Sequence, residues 1–321
     1  MLINCVVYRD GARLADIPTA DISDYLARPD CFVWVALRDA TDAELEEMQQ
    51  EFGLHDLTVE DARHGHQRPK IEEYGESLFV VMHLLEISKS DIVTGEVNVF
   101  VGKNFILSIR NHSQQHLLNV RERCEREPER LRQGPGFVLY ALMDAVVDRY
   151  FPVLNALESR LDDIEERIFE KGAARDNIRQ LYELKRKIAV IKHAVSPLMD
   201  EVSNLLGSWA PAVCANNQDY FRDVYDHLVR INTSIDTLRD TVNTAILVCQ
   251  STVTIEQNET NKRLAAWAGI FGIATVLAGI WGMNFSVMPE LQWKYGYPAA
   301  LLFIAAAAGL LYLRFKRSGW L

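Results

Sequence analysis

Residues 264–282 read LAAWAGIFGIATVLAGIWG, 19 positions without a charged side chain. At about 1.5 Å per residue such a stretch can cross a hydrocarbon core ~30 Å thick. Residues 296–313, GYPAALLFIAAAAGLLYL, supply 18 more. Two buried core helices would match by length. Against that reading, Trp267, Trp281, Trp293, Tyr295, Tyr297 and Tyr312 cluster near the ends of these stretches, where interfacial aromatics belong. Two membrane spans are therefore expected. Lys262 and Arg263 precede the first, and Arg314, Lys316 and Arg317 follow the second. The positive-inside rule then puts both termini in the cytoplasm and the loop 283–295 outside, in a multi-pass protein of the cell's inner (plasma) membrane.

Working outward from the first span, Phe221, Val224, Leu228, Ile231, Ile235, Leu238, Val242, Ala245 and Cys249 recur at steps of three and four. That is the spacing of a coiled-coil seam. No proline or glycine falls between Pro211 and Gly269. One helix from about 217 to 282, on the order of 100 Å long, is the expectation. Residues 177–206 repeat the seam through Ile178, Leu181, Leu184, Ile188, Ile191, Val195, Leu198, Val202 and Leu205, with Pro197 expected to kink it. Residues 137–170 also read as helix, acidic in their second half.

Residues 1–112 read differently. Asn4–Tyr8, Cys31–Leu37, Leu78–Leu85, Val97–Val101 and Phe105–Ile109 are strand-like, rich in β-branched and aromatic residues. The segment 41–53 reads as a helix with Thr41 as N-cap, Glu44 completing a capping box and Gly53 as the stop; 55–65 reads the same way. The fold class expected is α+β, a small mixed sheet with helices, followed by long coiled-coil-like helices and two C-terminal spans. The expected organisation is an α/β domain at 1–132, acidic antiparallel helices at 133–216 and a stalk helix at 217–263. Then come the spans 264–282 and 296–313 around the loop 283–295, and a basic tail at 314–321.

Charge narrows the function. Of 44 acids, 43 lie in residues 1–261 with 28 of the 34 Lys and Arg, a net of −15 there. So acidic a body repels nucleic acid, and no nucleic-acid partner is expected. The N-terminus, MLINCVVYRDG, has no basic stretch followed by an apolar run, so no secretory signal is expected. Five scattered cysteines without a C-x-x-C pair argue against a disulfide framework or a zinc ribbon. There is no Walker loop, G-x-S-x-G elbow or H-E-x-x-H, so neither an enzyme, an ATP-driven pump nor an organic cofactor is expected.

After the first span come Gly282-Met283-Asn284, then Met288-Pro289-Glu290-Leu291. A Gly-Met-Asn triplet closing the penultimate span, with M-P-E-L in a short loop, resembles the CorA family of divalent-cation channels. His66-Gln67-Arg68-Pro69-Lys70, the stretch from Tyr220 to His227 and the basic tail are similar to that family too. The resemblance spans nearly the whole chain. It implies a funnel-shaped homopentamer among membrane lipid, a pore lined by copies of the first span, and influx of Mg2+, with Co2+ and Ni2+ accepted. It implies a selectivity filter at Gly282, Met283 and Asn284.

Walking back from Asn284, the positions Gly279, Thr275, Gly272, Ala268, Leu264, Asn261 and Asn258 fall on one helical face, small or polar except for Leu264. The same residue types serve close helix packing, so the face alone does not decide between pore and packing. The opposite side carries Phe271, Val276 and Ile280, suited to lipid or to the second span. A lining of amide and carbonyl oxygens suits Mg2+, which sheds its water reluctantly and must be released again. Glu290 either concentrates cations at the mouth or pairs with Lys294 in solvent. Where the family often has methionine followed by proline, this chain has Gly272-Ile273, which leaves Leu264 as the bulky constriction.

The resemblance further implies regulatory Mg2+ sites between subunits. Asp223 matches the stalk member, and Glu86 or Asp91 stands near the expected partner of the next subunit. The alternative for Asp223 is an exposed acid pairing with Arg222 or His227. Two other functions stay open on the residues: a Zn2+ transporter of the same superfamily, against which Met283 counts, and a membrane-anchored scaffold without transport.

Overall fold

The computed structural model describes the chain except residues 90, 114–118, 171, 208–210, 284–287 and 290–292. Among the described residues the strands β1 (Leu2–Arg9), β2 (Ala12–Asp16), β3 (Cys31–Arg38), β4 (Lys70–Tyr74), β5 (Ser77–Ser88), β6 (Asp91–Val101) and β7 (Phe105–Asn111) form one sheet. Its order is β2-β1-β3-β7-β6-β5-β4. Only β3 and β7 pair in parallel. The five strands expected from β-branched runs are there. The edge strands β2 and β4 are additions, with sequences ARLAD and KIEEY too polar to announce themselves. Charged, half-exposed edges are how sheets avoid pairing with strangers.

Strand alternation gives the sheet two working faces. Val33, Val35 and Leu37 of β3 enter the core beneath α1 (Ile22–Leu26), α2 (Asp42–Phe52) and α3 (Asp56–His64), which contribute Ile22, Leu45, Met48, Phe52, Val59 and Ala62. Helix α2 opens with the expected capping box: Thr41 Oγ1 accepts from the Glu44 N–H and the Glu44 carboxylate accepts from the Thr41 N–H. It stops at Gly53, whose φ of 64° suits glycine. On the other face lie α4 (Val120–Glu125), α5 (Pro128–Leu131), α6 (Pro135–Val147) and α7 (Tyr150–Glu165). Helix α6, PGFVLYALMDAVV, is apolar nearly all round and packs on β5, β6 and β7.

Two long helices follow, α8 (Ala174–Leu205) and α9 (Gln218–Trp281). Helix α8 continues through Pro197. Helix α9 is unbroken for 64 residues, as the absence of proline and glycine before Gly269 leads one to expect. From Phe221 to Cys249 every expected seam residue is buried. The facing seam of α8, from Leu181 to Leu205, is buried too. The helices run antiparallel: Lys185 Nζ donates to Asn243 Oδ1 at 2.9 Å, and Lys192 Nζ reaches Asn232 and Asp236 at 2.8–2.9 Å. All five cysteines are buried free thiols.

The described residues form two compact units, Met1–Glu166 with Arg179–Thr244, and Arg167–Ile178 with Ala245–Leu321. In the second, the last turns of α9 pack on α10 (Gly296–Arg317) antiparallel, with Trp267 6.4 Å from Tyr312 and Trp281 6.3 Å from Phe303 between ring centres. Both helices contain an apolar stretch long enough to cross a membrane.

Candidate ion pathway and acidic cluster

The stripe expected to line an ion pathway lies on one face of α9. Ala266 and Ile270 are buried, and Gly269 approaches the ring of Phe315, so this side of α9 meets α10. Ala268 and Gly272 each follow a buried residue by two positions, a turn of about 200° on a helix. The stripe Leu264, Ala268, Gly272, Thr275 and Gly279 therefore points away from α10, and every member is exposed. Asn258 and Asn261 continue it, also exposed. Thr275 turns its hydroxyl proton to the Phe271 carbonyl at 2.8 Å, so its oxygen is left to accept. Phe271, Val276 and Ile280 stay exposed as well, so the second span covers none of them; this is the surface lipid would wet.

The helix closes at the triplet. Gly282 N–H reaches the Ala278 carbonyl at 3.0 Å and Met283 N–H the Ile280 carbonyl at 3.3 Å. Asn284 and Glu290 lie outside the described residues. Lys294 stands over the Tyr295 ring at 5.9 Å.

In the first unit, Asp223 does not stand alone. It and His227 are one turn apart on α9, their side chains 3.9 Å apart. Opposite them α6 presents Asp144, 7% exposed, and the α6 cap presents Asp148. Ligand atoms of Asp144, Asp223 and His227 all lie within 4.8 Å of one another. Asp148 is 3.7 Å from His227 Nδ1, too long for a hydrogen bond, and that enclosed nitrogen has no hydrogen-bond partner among the described residues. One cation offsets the acids: Arg123 of α4 reaches Asp144 at 2.9 Å.

Three carboxylates with one guanidinium and one imidazole leave an excess of negative charge. Burial, then the charge of Asp144, holds the Asp148 carboxyl above the usual carboxylate range, with Asp223 adding to it and His227 and Arg123 opposing. Burial and the charges of Asp144 and Asp223 push the nearby Tyr140 up to about 12. Hard carboxylate oxygens suit a hydrated divalent cation of the Mg2+ type, and the imidazole adds a donor that transition ions prefer.

Glu86 and Asp91 are placed otherwise. Glu86, near the end of β5, accepts from the Ser113 hydroxyl at 2.5 Å and lies in the field of Arg149. Asp91 opens β6 and accepts from the Ile92 N–H at 2.9 Å. Within one chain, then, Asp223 meets Asp144 and His227. Sequence reasoning missed Asp144 and Asp148. The available signal was a lone acid in the apolar run 135–147, with a second four residues on, matching the spacing of Asp223 and His227.

Comparison with known proteins agrees with the fold and with the family resemblance. The chain is 34% identical over 273 residues to the cobalt/magnesium transport protein CorA of Thermotoga maritima, covering 84% of this chain and 78% of that one. The complete CorA magnesium transporter of Methanocaldococcus jannaschii superposes with a TM-score of 0.78, covering 100% of both chains at 18% identity. The full-length CmaX protein superposes at 0.74, with 98% and 97% covered and 19% identity. A family model for CorA-like Mg2+ transporter proteins matches residues 30–317, and the chain belongs to that family.

Proposed function

We propose that several copies of this chain, five by family resemblance, surround an ion pathway in the plasma membrane that passes Mg2+, and also Co2+, into the cell. The observation that carries this reading is the exposed stripe of α9 turned away from α10. Its small and amide-bearing residues, from Asn258 to Gly279, are what close copies and a hydrated cation both require. The membrane potential drives the ion, supplying about 4.6 kcal/mol per 100 mV for a divalent charge, twice the single-charge value. Gly282, Met283 and Asn284 form the filter at the outer mouth, Glu290 attracts cations to it, and Leu264 provides the constriction.

The acidic cluster regulates. Asp223, with Asp144 and Asp148, repels like charge until a divalent cation occupies the site. Bound Mg2+ therefore favours the closely packed, closed arrangement, and its loss loosens it. Glu86 or Asp91 of a neighbouring copy completes the site across the interface. A liposome assay tests the function. Indicator-loaded vesicles with an inside-negative potential should take up Mg2+ and Co2+, and Asn284→Ala should abolish uptake with the oligomer intact. Uptake of Zn2+ alone would shift the reading to a zinc transporter; no uptake of any ion would favour a scaffold.

A further inference from the structure

Helices α7 and α8 are joined by a short tip, which from Arg167 on belongs to the same compact unit as the second half of α9. The tip is firmly built. Ile168 is 5% exposed and Ala174 3%, and the enclosed Asn177 donates from Nδ2 to the Arg167 carbonyl at 3.0 Å. The N–H groups of Glu170 and Ala173 close turns on the carbonyls of Arg167 and Glu170, each at 3.2 Å. Phe169 nevertheless points out of this structure. At 80% exposed it is the barest large apolar side chain among the described residues.

The height of the tip says what covers it. Gly172, Ala174 and Arg175 line a cavity shared with Glu256, Thr260 and Asn261 of α9. Asn261 precedes the first span by three residues, about 4.5 Å along the helix. The polar headgroup layer is ~5–7 Å thick on each side of the hydrocarbon, so the tip stands at headgroup depth. Its side of α9 is also the apolar one. Trp267 and Phe271 follow Thr260 by seven and eleven residues, within about 20° of whole turns, and so rise directly above it. They are 45% and 64% exposed and stack on each other at 5.9 Å. Phe169 thus extends, beside α9, the surface left bare for lipid. Residues 165–176 carry four acids and three bases, so attraction to charged lipid is not what holds the tip. We infer that the α7–α8 tip rests in the cytoplasmic lipid interface, with the Phe169 ring inserted at the headgroup–acyl boundary of zwitterionic lipid. This gives the chain a second hold on the bilayer besides its spans, and it depends on those spans but not on ion passage.

A thiol-attached bimane label on the full-length protein in phosphatidylcholine vesicles tests this. The five native thiols are buried, so an added cysteine takes the label. Lipid carrying a doxyl group near the top of its acyl chain is the quencher. Phe169→Cys is expected to be quenched about twofold more strongly than Tyr182→Cys, a half-exposed site further along α8. With the label at Glu170→Cys instead, adding Phe169→Asp should lower the quenching about twofold. Phe271→Cys reports on the span itself. Quenching there with none at Phe169→Cys would overturn insertion of the tip alone; none at either would overturn the spans with it. A label at Phe169→Cys shielded from water yet unquenched would put a neighbouring copy on the tip and overturn the proposal. So would quenching at Glu170→Cys that Phe169→Asp leaves unmoved.

Discussion

Helix α9 contains two apolar stretches with opposite fates. Between Phe221 and Cys249 the seam residues are 0–5% exposed. Beyond Leu264 the large apolar residues are bare: Leu264 and Phe271 are 64% exposed, Val276 61% and Ile280 47%. One helix thus carries a surface the chain satisfies for itself and another that only lipid or further copies can cover. The composition of the second explains the difference. Its outward stripe is small and polar where the upstream seam is bulky, so it packs closely or lines a path but cannot fill a core.

Breaking the first stretch should have the largest effect. Leu228→Ala removes a fully buried seam side chain and is expected to cost about 2–5 kcal/mol in unfolding free energy, read by denaturant titration of the detergent-solubilised protein. Val276→Ala in the second stretch should leave the same titration unmoved. Equal losses would mean the two stretches do not differ as described. Next in size is Leu264→Gly. As the one bulky member of the stripe, Leu264 is proposed to close a narrow path by excluding water, and on that reading its removal should raise Mg2+ leak about tenfold when internal Mg2+ is high. A variant as tight as the parent would move the constriction elsewhere.

The acidic cluster offers two finer tests. Asp223→Lys places a tethered ammonium where a divalent cation is proposed to sit, so protection of the first unit from proteolysis should stop depending on Mg2+. Superimposable protection curves for parent and variant would make Asp223 an ordinary surface acid worth under ~1 kcal/mol. The smallest effect is expected at Asp148. Its carboxyl binds its proton more tightly folded than unfolded, so ionisation subtracts stability as pH rises through the folded pKa. Below the unfolded pKa of ~3.9 nothing is subtracted. Asp148→Asn should therefore stabilise at neutral pH by under ~1 kcal/mol, since the side chain is 54% exposed and screened. It should do nothing near pH 3, and added Mg2+ should shrink the neutral-pH gain; thermal melts read both.

Much of this was legible before any coordinates. The three-four spacing of α9, its lack of proline and glycine, the Thr41–Glu44 capping box and the two apolar spans are local signals written along the chain, and each forms as read. Strands β2 and β4 were not legible, because edge strands owe their pairing to a neighbour rather than to an apolar run of their own. Nor was the company Asp223 keeps. Asp144 and Asp148 reach it across the contact between α6 and α9, a tertiary fact that spacing within either helix cannot carry. The direction of the Gly272–Thr275 stripe is intermediate. Sequence placed those residues on one face, and only the packing of Ala266 and Ile270 shows that it turns from α10.

The most direct measurement compares two substituted cysteines in liposomes. The chain's own five thiols are buried, so a membrane-impermeant methanethiosulfonate cation would react only with the new ones. With the stripe lining the path and the flank at Ile280, about 100° round the helix from Gly279, facing lipid, the reagent should block Mg2+ uptake by Gly279→Cys and leave uptake by Ile280→Cys unchanged. Block of Ile280→Cys with Gly279→Cys untouched would contradict the assignment of the stripe as the ion path.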